Sequence, residues 1–352
     1  MERADVAWRW KPAAVGAAVI AAASVAWAQA PAQTWVAQVS GITASLRGVS
    51  AVSPAVVWAS GTGGAYLRTL DGGATWHAAV VPGAADLDFR GVHALDSRTA
   101  WLMSSGTGAK SRIYRTSDGG ADWPLIYTNP DAGGFFDALA FWDARRGVVL
   151  GDPVDGQFVI LTTGDGGQTW QRRKLPPALP NEGAFAASNS CLLVRGKREV
   201  WFGTGGPSGA RVFHSTDGGL HWEVAGTPLR HDGAGAGIFS LAFADARHGV
   251  AIGGDYGKPA GMAGNLAMTS DGGRTWAEPA GAHPNGYRSA VAFLGGRKVW
   301  IAVGTSGSDI SRDGGRSWTR FESGAYNAIG AAGGYAAWAV GPGGRIGKLG
   351  FK

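Results

Sequence analysis

Short apolar runs separated by Gly-, Asp- and Ser-rich punctuation recur along most of the chain. One unit reads Phe89-Arg90-Gly91-Val92-His93-Ala94-Leu95, turns at Asp96-Ser97-Arg98, and resumes with Thr99-Ala100-Trp101-Leu102-Met103. A second reads Phe239-Ser240-Leu241-Ala242-Phe243, turns over residues 245–249, and resumes with Val250-Ala251-Ile252. The same turn stands at Asp143-Ala144-Arg145-Arg146-Gly147. Runs this short, bounded by turn formers, predict β-strands joined by hairpins. We name the two strands of each unit a and b.

An octapeptide then recurs six times: TLDGGATW at residues 69–76, TSDGGADW at 116–123, TGDGGQTW at 163–170, STDGGLHW at 215–222, TSDGGRTW at 269–276 and SRDGGRSW at 311–318. Its Asp-Gly pair is a hairpin signal, because Gly takes positive φ without a Cβ clash. The carboxylate can accept amide hydrogens of its own turn, and the Trp opens the next strand with a large apolar face. Each octapeptide thus joins strand c to strand d. The spacing of Asp71, Asp118, Asp165, Asp217, Asp271 and Asp313 suits one four-stranded unit per repeat. Six copies of the same local device read as structural, not catalytic.

The ends complete the count. Trp35-Val36-Ala37-Gln38-Val39 followed by Leu46-Arg47-Gly48-Val49 mirrors Trp76-His77-Ala78-Ala79-Val80 followed by Phe89-Arg90-Gly91-Val92, so Trp35 opens a d strand with no a, b or c before it. Residues 326–332, 336–340 and 345–349 supply an a, b and c with no octapeptide after them. Together they predict an all-β, seven-bladed propeller whose last blade is shared between the N- and C-terminal strands, which removes open sheet edges.

Composition narrows the class. Gly is 59 of 352 residues without a three-residue period, and charged residues are 16%, which excludes collagen and argues against disorder. The net charge of +6 is dispersed, so no nucleic-acid surface is expected. Arg3, Arg9 and Lys11, an apolar run over 13–26 and Ala26-Trp27-Ala28 read as a signal peptide over residues 1–28. The expectation is a single propeller domain over 29–352, periplasmic or secreted, monomeric, with no stable membrane span after cleavage. Cys191 is the only cysteine, which leaves no intrachain disulfide and predicts a buried small hydrophobe.

The octapeptide resembles the Asp-box, or bacterial neuraminidase repeat, Ser-x-Asp-x-Gly-x-Thr-Trp. Sialidases, xyloglucanases, sortilin-type receptors and photosystem II assembly factors share that repeat. With (Leu/Phe)-Arg-Gly-Val at Arg47 and Arg90 and the signal peptide, the chain looks most like an exported bacterial branch of the photosystem II stability/assembly factor family, often labelled oxidoreductase or glycosyl hydrolase. It departs from sialidases in lacking their Phe/Tyr-Arg-Ile-Pro motif. No Gly-x-Gly-x-x-Gly opens a helix and no His/Cys/carboxylate cluster has metal-ligand spacing, so neither cofactor nor metal is expected.

In such a meander the d–a and b–c loops share one face, opposite the octapeptides. Three loops there stand out: residues 151–156, 253–259 and Asn181-Glu182-Gly183-Ala184-Phe185, the last read as leading into a strand a. They predict a channel mouth with Asp152, Glu182, Asp255 and Tyr256 facing Arg47, Arg90, Tyr287 and Arg288, the carboxylates kept ionised by the arginines. His231 and Asp232 sit on another loop of that face. The arrangement suits a binding or assembly module for a protein segment or polar ligand. The alternative is a carbohydrate-active enzyme drawing a carboxylate pair from Asp152, Glu182 and Asp255.

Overall fold

The computed structural model describes residues 1–2 and 33–351, so all but the start of the predicted signal peptide lies outside the described residues. Seven antiparallel sheets form the blades. Their innermost strands, a, are Leu46–Ala51, Phe89–Ala94, Phe136–Phe141, Leu192–Arg195, Ala236–Phe243, Ala290–Leu294 and Ala328–Ala332, for blades 1 to 7. Successive strands pair in chain order outward, except in blade 7. There Gln33–Gln38 pairs with Ile346–Phe351, placing Trp35 opposite Leu349. The chain ends thus close the ring as the repeat arithmetic predicts.

Closure reaches beyond the shared blade. Gln38 Nε2, Trp338 Nε1 and Lys348 Nζ, all from blade 7, donate to the Gly72 carbonyl of blade 1 at 3.2, 3.3 and 3.0 Å. Indoles of strand b make comparable links elsewhere: Trp58 to Asp96 O (3.0 Å), Trp101 to Gly166 O (3.1 Å) and Trp201 to Gly272 O (2.9 Å). Each reaches from one blade to a turn of the next, so a fully buried ring keeps its N–H satisfied. The apolar core divides the same way, with one buried cluster at each interface between neighbouring blades.

The octapeptide turns are closed circuits. In the first, the Thr69 hydroxyl donates to Asp71 Oδ1 (2.8 Å) and accepts the Gly73 amide (2.8 Å), while Asp71 accepts the Thr75 amide (2.9 Å) and hydroxyl (2.6 Å). Gly72 and Gly73 have φ of +71° and +90°, where a side chain would be strained. The bonds from Thr75, then Thr69, hold the Asp71 carboxyl well below the usual carboxylate range. The a–b turns use another device: Asp96, Asp143 and Asp245 each accept two amides of their own turn through Oδ1.

Two expectations need correction. Blade 5 has no d strand; its fifth octapeptide is followed only by an isolated bridge between Met268 and Ala277. Pro279, two residues on, cannot donate to a ladder. The 181–185 loop also does not lead directly into strand a of blade 4. That strand begins at Leu192, and residues 185–190 first cross the central channel. Cys191, just after the crossing, is fully buried, and burial pushes its thiol up, as suits a packing residue.

Candidate functional site

One side-chain position recurs in every blade but the fourth. Strand a carries x-small-apolar behind a leading residue that is apolar in five of six blades and Arg288 in the other: Leu46-Arg47-Gly48-Val49, Phe89-Arg90-Gly91-Val92, Phe136-Asp137-Ala138-Leu139, Ile238-Phe239-Ser240-Leu241, Arg288-Ser289-Ala290-Val291 and Tyr326-Asn327-Ala328-Ile329. In blades 1, 2, 3 and 5 the register with strand b skips residue x. The skipped residue leaves the ladder and turns its side chain to the axis. Arg47, Arg90, Asp137, Phe239, Ser289 and Asn327 accordingly line one cavity of about 510 Å³, on the face away from the octapeptides.

Its floor is the crossing segment. Arg90 Nη1 of blade 2 donates to Ala186 O (3.3 Å), and Ser188 Oγ donates to Ser289 O of blade 6 (2.8 Å). Asn189, at φ +65°, accepts the Leu139 amide of blade 3 (2.8 Å) and donates to the Leu139 carbonyl (3.0 Å). Ser190 Oγ donates to Ser240 Oγ of blade 5 (2.8 Å). The polar ring continues from Ser289 Oγ to Asn327 O (2.7 Å) and from Asn327 Nδ2 to Leu46 O (2.7 Å). Ala186 and Ser188 are buried beneath the bowl so formed.

The bowl has two unlike walls. On one side Phe185 stacks on Phe239 at 3.9 Å, and Tyr287 and Tyr256 meet Phe239 edge-on at 4.8 and 6.2 Å. Tyr256 stands exposed at the rim and Tyr287 is buried below it. Burial pushes the Tyr287 phenol up, so it stays protonated. The other wall is ionic. Arg90 Nε pairs with Asp88 Oδ2 at 2.7 Å. Arg47 has a buried Nε with no hydrogen-bond partner among the described residues. Burial, then the like charge of Arg90, makes the Arg47 guanidinium costlier to keep charged.

Asp152 lines the bowl and accepts the Ala184 amide at 3.0 Å. No arginine lowers its carboxyl as expected: burial dominates and pushes it up, against the Ala184 bond. Asp137, absent from the residues singled out by sequence, is 1% exposed, and burial followed by the charge of Asp152 pushes it well up. Its Oδ2 has no hydrogen-bond partner among the described residues.

Three of the eight expected residues are elsewhere. Arg288 stands one place before the axis position, so the two-residue alternation of a strand turns it into the blade. There it is fully buried, donating to Asp309 (2.6 Å), Tyr287 O (2.7 Å), Ser306 Oγ (2.8 Å) and Asn285 O (3.0 Å). Ser289 takes the place expected of it. Glu182 lies in the neighbouring hollow, where Arg211 (2.9 and 2.5 Å), Thr204 (2.5 Å) and the Leu179 amide (2.7 Å) occupy both oxygens. Asp255 accepts the Gly257 amide at 2.9 Å and faces Lys258 at 3.5 Å. His231 and Asp232 are exposed, with Asp232 paired to Arg230. Arg47, Arg90, Asp152, Tyr256 and Tyr287 do meet at the bowl. The octapeptide aspartates lie away from it; Asp118 and Asp217 line hollows of the other face.

The chain matches no protein-family model and no curated protein by sequence. It is similar in structure to YCF48 bound to D1 peptide, with a TM-score of 0.64 at 18% identity, over 92% of this chain and 100% of that one. YCF48 from Cyanidioschyzon merolae gives 0.63 at 19% identity, over 89% and 98% of the two chains. U3-55K gives 0.63 at 13% identity, over 91% and 99%. These likenesses establish the seven-bladed propeller fold.

Proposed function

We propose that this propeller is a binding or assembly module that docks a segment of another protein in the bowl. The observation that carries the reading is the bowl's construction. Arg47, whose buried Nε has no hydrogen-bond partner among the described residues, shares the cavity with an aromatic wall of Phe185, Phe239, Tyr256 and Tyr287 over the floor of the crossing segment. Leaving a buried N–H donor unsatisfied costs stability, a cost that an arriving carboxylate or carbonyl repays. Flat aromatic faces add sequence-tolerant contact. The likeness to YCF48 bound to D1 peptide supports a protein segment as the occupant.

Around this core stand further expectations: octapeptides of the Asp-box type, a domain over 29–352 that is monomeric, and export to the periplasm or beyond. Glycoside hydrolysis is disfavoured. Glu182 is tied to Arg211 and Asp255 to its own turn and Lys258, so neither is free to act with Asp152 as an acid–base pair.

A photoreactive phenylalanine at Tyr256, compared with one at Leu220 on the octapeptide face, tests the docking. Incubation with a random hexapeptide library should give crosslinks at 256 that Arg47→Ala abolishes. Equal labelling at both positions, or labelling at 256 indifferent to Arg47→Ala, would overturn the reading.

A further inference from the structure

We propose that the Asp137–Asp152 side of the bowl is a subsite for a cationic side chain, Lys or Arg, of the docked segment. The inference rests on the docking reading and adds the chemistry of one pocket within it. Asp137 occupies the axis-facing position of blade 3, where blades 1 and 2 carry Arg47 and Arg90. It is 1% exposed, yet its Oδ2 has no hydrogen-bond partner among the described residues. Asp152 lines the same cavity and uses Oδ1 for the Ala184 amide.

Among the described residues no cation makes an ion pair with Asp137 or Asp152. Arg90, the arginine whose charge acts on Asp137, is committed to Asp88 (2.7 Å) and Ala186 O (3.3 Å). The titratable or charged groups acting on Asp137 are Asp152, Arg90 and the neutral thiol of Cys191. Two carboxyls in one cavity with an unused buried acceptor form half of an ion pair. Phe185 and Phe239 beside them suit the alkyl stem or cationic head that would complete it. Burial pushes both carboxyls up, and a cation placed between them favours their charged forms.

The test uses the full chain and hexapeptide sublibraries blocked at both ends, each with one position fixed as Lys, Arg, norleucine or Glu. Binding is read by fluorescence anisotropy. Lys and Arg sublibraries should bind about 10–100-fold tighter than norleucine, the range of a charge-assisted pair. Asp137→Asn and Asp152→Asn should each erase that preference while norleucine binding persists. Asp152→Asn carries the test if Asp137→Asn misfolds. Equal binding of Lys and norleucine, or a preference that survives both substitutions, overturns the subsite and leaves docking standing. Failure of every sublibrary to bind overturns the docking reading and the subsite with it.

Discussion

The indole N–H of Trp35 donates to Ser308 Oγ at 2.9 Å, joining positions 273 residues apart. Trp35 is also packed against Phe321 and Tyr326, at 5.9 and 5.4 Å between rings. The first strand therefore anchors blade 7 to blade 6 as well as completing it. Trp35→Ala should cost about 3–5 kcal/mol in urea unfolding, as for other buried aromatic truncations. Trp35→Phe should cost only about 1 kcal/mol, for the lost hydrogen bond. Deleting residues 34–39 should be worse than either. A deletion variant with an unchanged melting temperature would show that the ring does not depend on its closure.

Asp271 accepts the Thr269 hydroxyl (2.8 Å), the Arg274 and Thr275 amides (3.0 Å each) and the Thr275 hydroxyl (2.6 Å). It does for its turn what a cap residue does for a helix. Asp271→Ala should lower stability by about 1 kcal/mol, the scale of a lost cap at an exposed site. Segment binding to the folded fraction should be unchanged, because the turn lies on the face away from the bowl. Calorimetry and anisotropy on one preparation separate the two effects.

Acid should act on the two faces with opposite sign. Hydrogen bonds from Thr75 and Thr169 lower the carboxyl pKa values of Asp71 and Asp165 from 3.8. That stabilisation is complete above the unfolded value and is lost as pH falls below it. Asp137 is raised by burial and then by Asp152, so the folded state holds its proton more tightly. Its penalty is complete above the folded pKa and is relieved as pH falls toward 3.8. Asp137→Asn should therefore raise the melting temperature at pH 7.5, by roughly 2–4 °C per kcal/mol relieved. The gain should shrink toward pH 4. A gain that is flat with pH, or a loss at pH 7.5, would contradict the assignment.

Arg47 and Arg288 should separate binding from structure. The Arg288–Asp309 pair is fully buried on both sides, and removing one partner of such a pair costs about 3–5 kcal/mol. Arg288→Ala should reach that range in denaturant titrations. Arg47→Ala should leave stability unchanged or slightly improved and weaken segment binding about tenfold. Equal destabilisation by both substitutions would place Arg47 among the structural arginines.

The ring was legible because each blade repeats its own punctuation: Asp96, Asp143 and Asp245 at the a–b turns and Thr69 to Trp76 at the c–d turns. The bowl was legible only where residue type coincided with register. Arg47 and Arg90 share a motif, but extending it to Arg288 placed that residue one position out, which in a strand means the opposite side. Aligning strand a by its small residue, Gly48, Gly91, Ala138, Ser240, Ala290 and Ala328, would have brought out Asp137, Phe239, Ser289 and Asn327. The fate of Glu182 depends on Arg211 and Thr204, distant partners that no local pattern announces. The crossing segment breaks the repeat and so carries no periodic signal.

That segment gives the molecule the plan of a cup and not a pipe. Residues 185–190 bind blades 2, 3, 5 and 6 across the axis and give the bowl a floor. On the docking reading, a segment held above that floor is released without passing through the ring. A chain in the middle of a folded domain cannot be threaded through. A free tail or a protruding loop can be held, and its release needs no second gate. The octapeptide face lies on the other side of that floor, so on the docking reading it takes no part in the bowl.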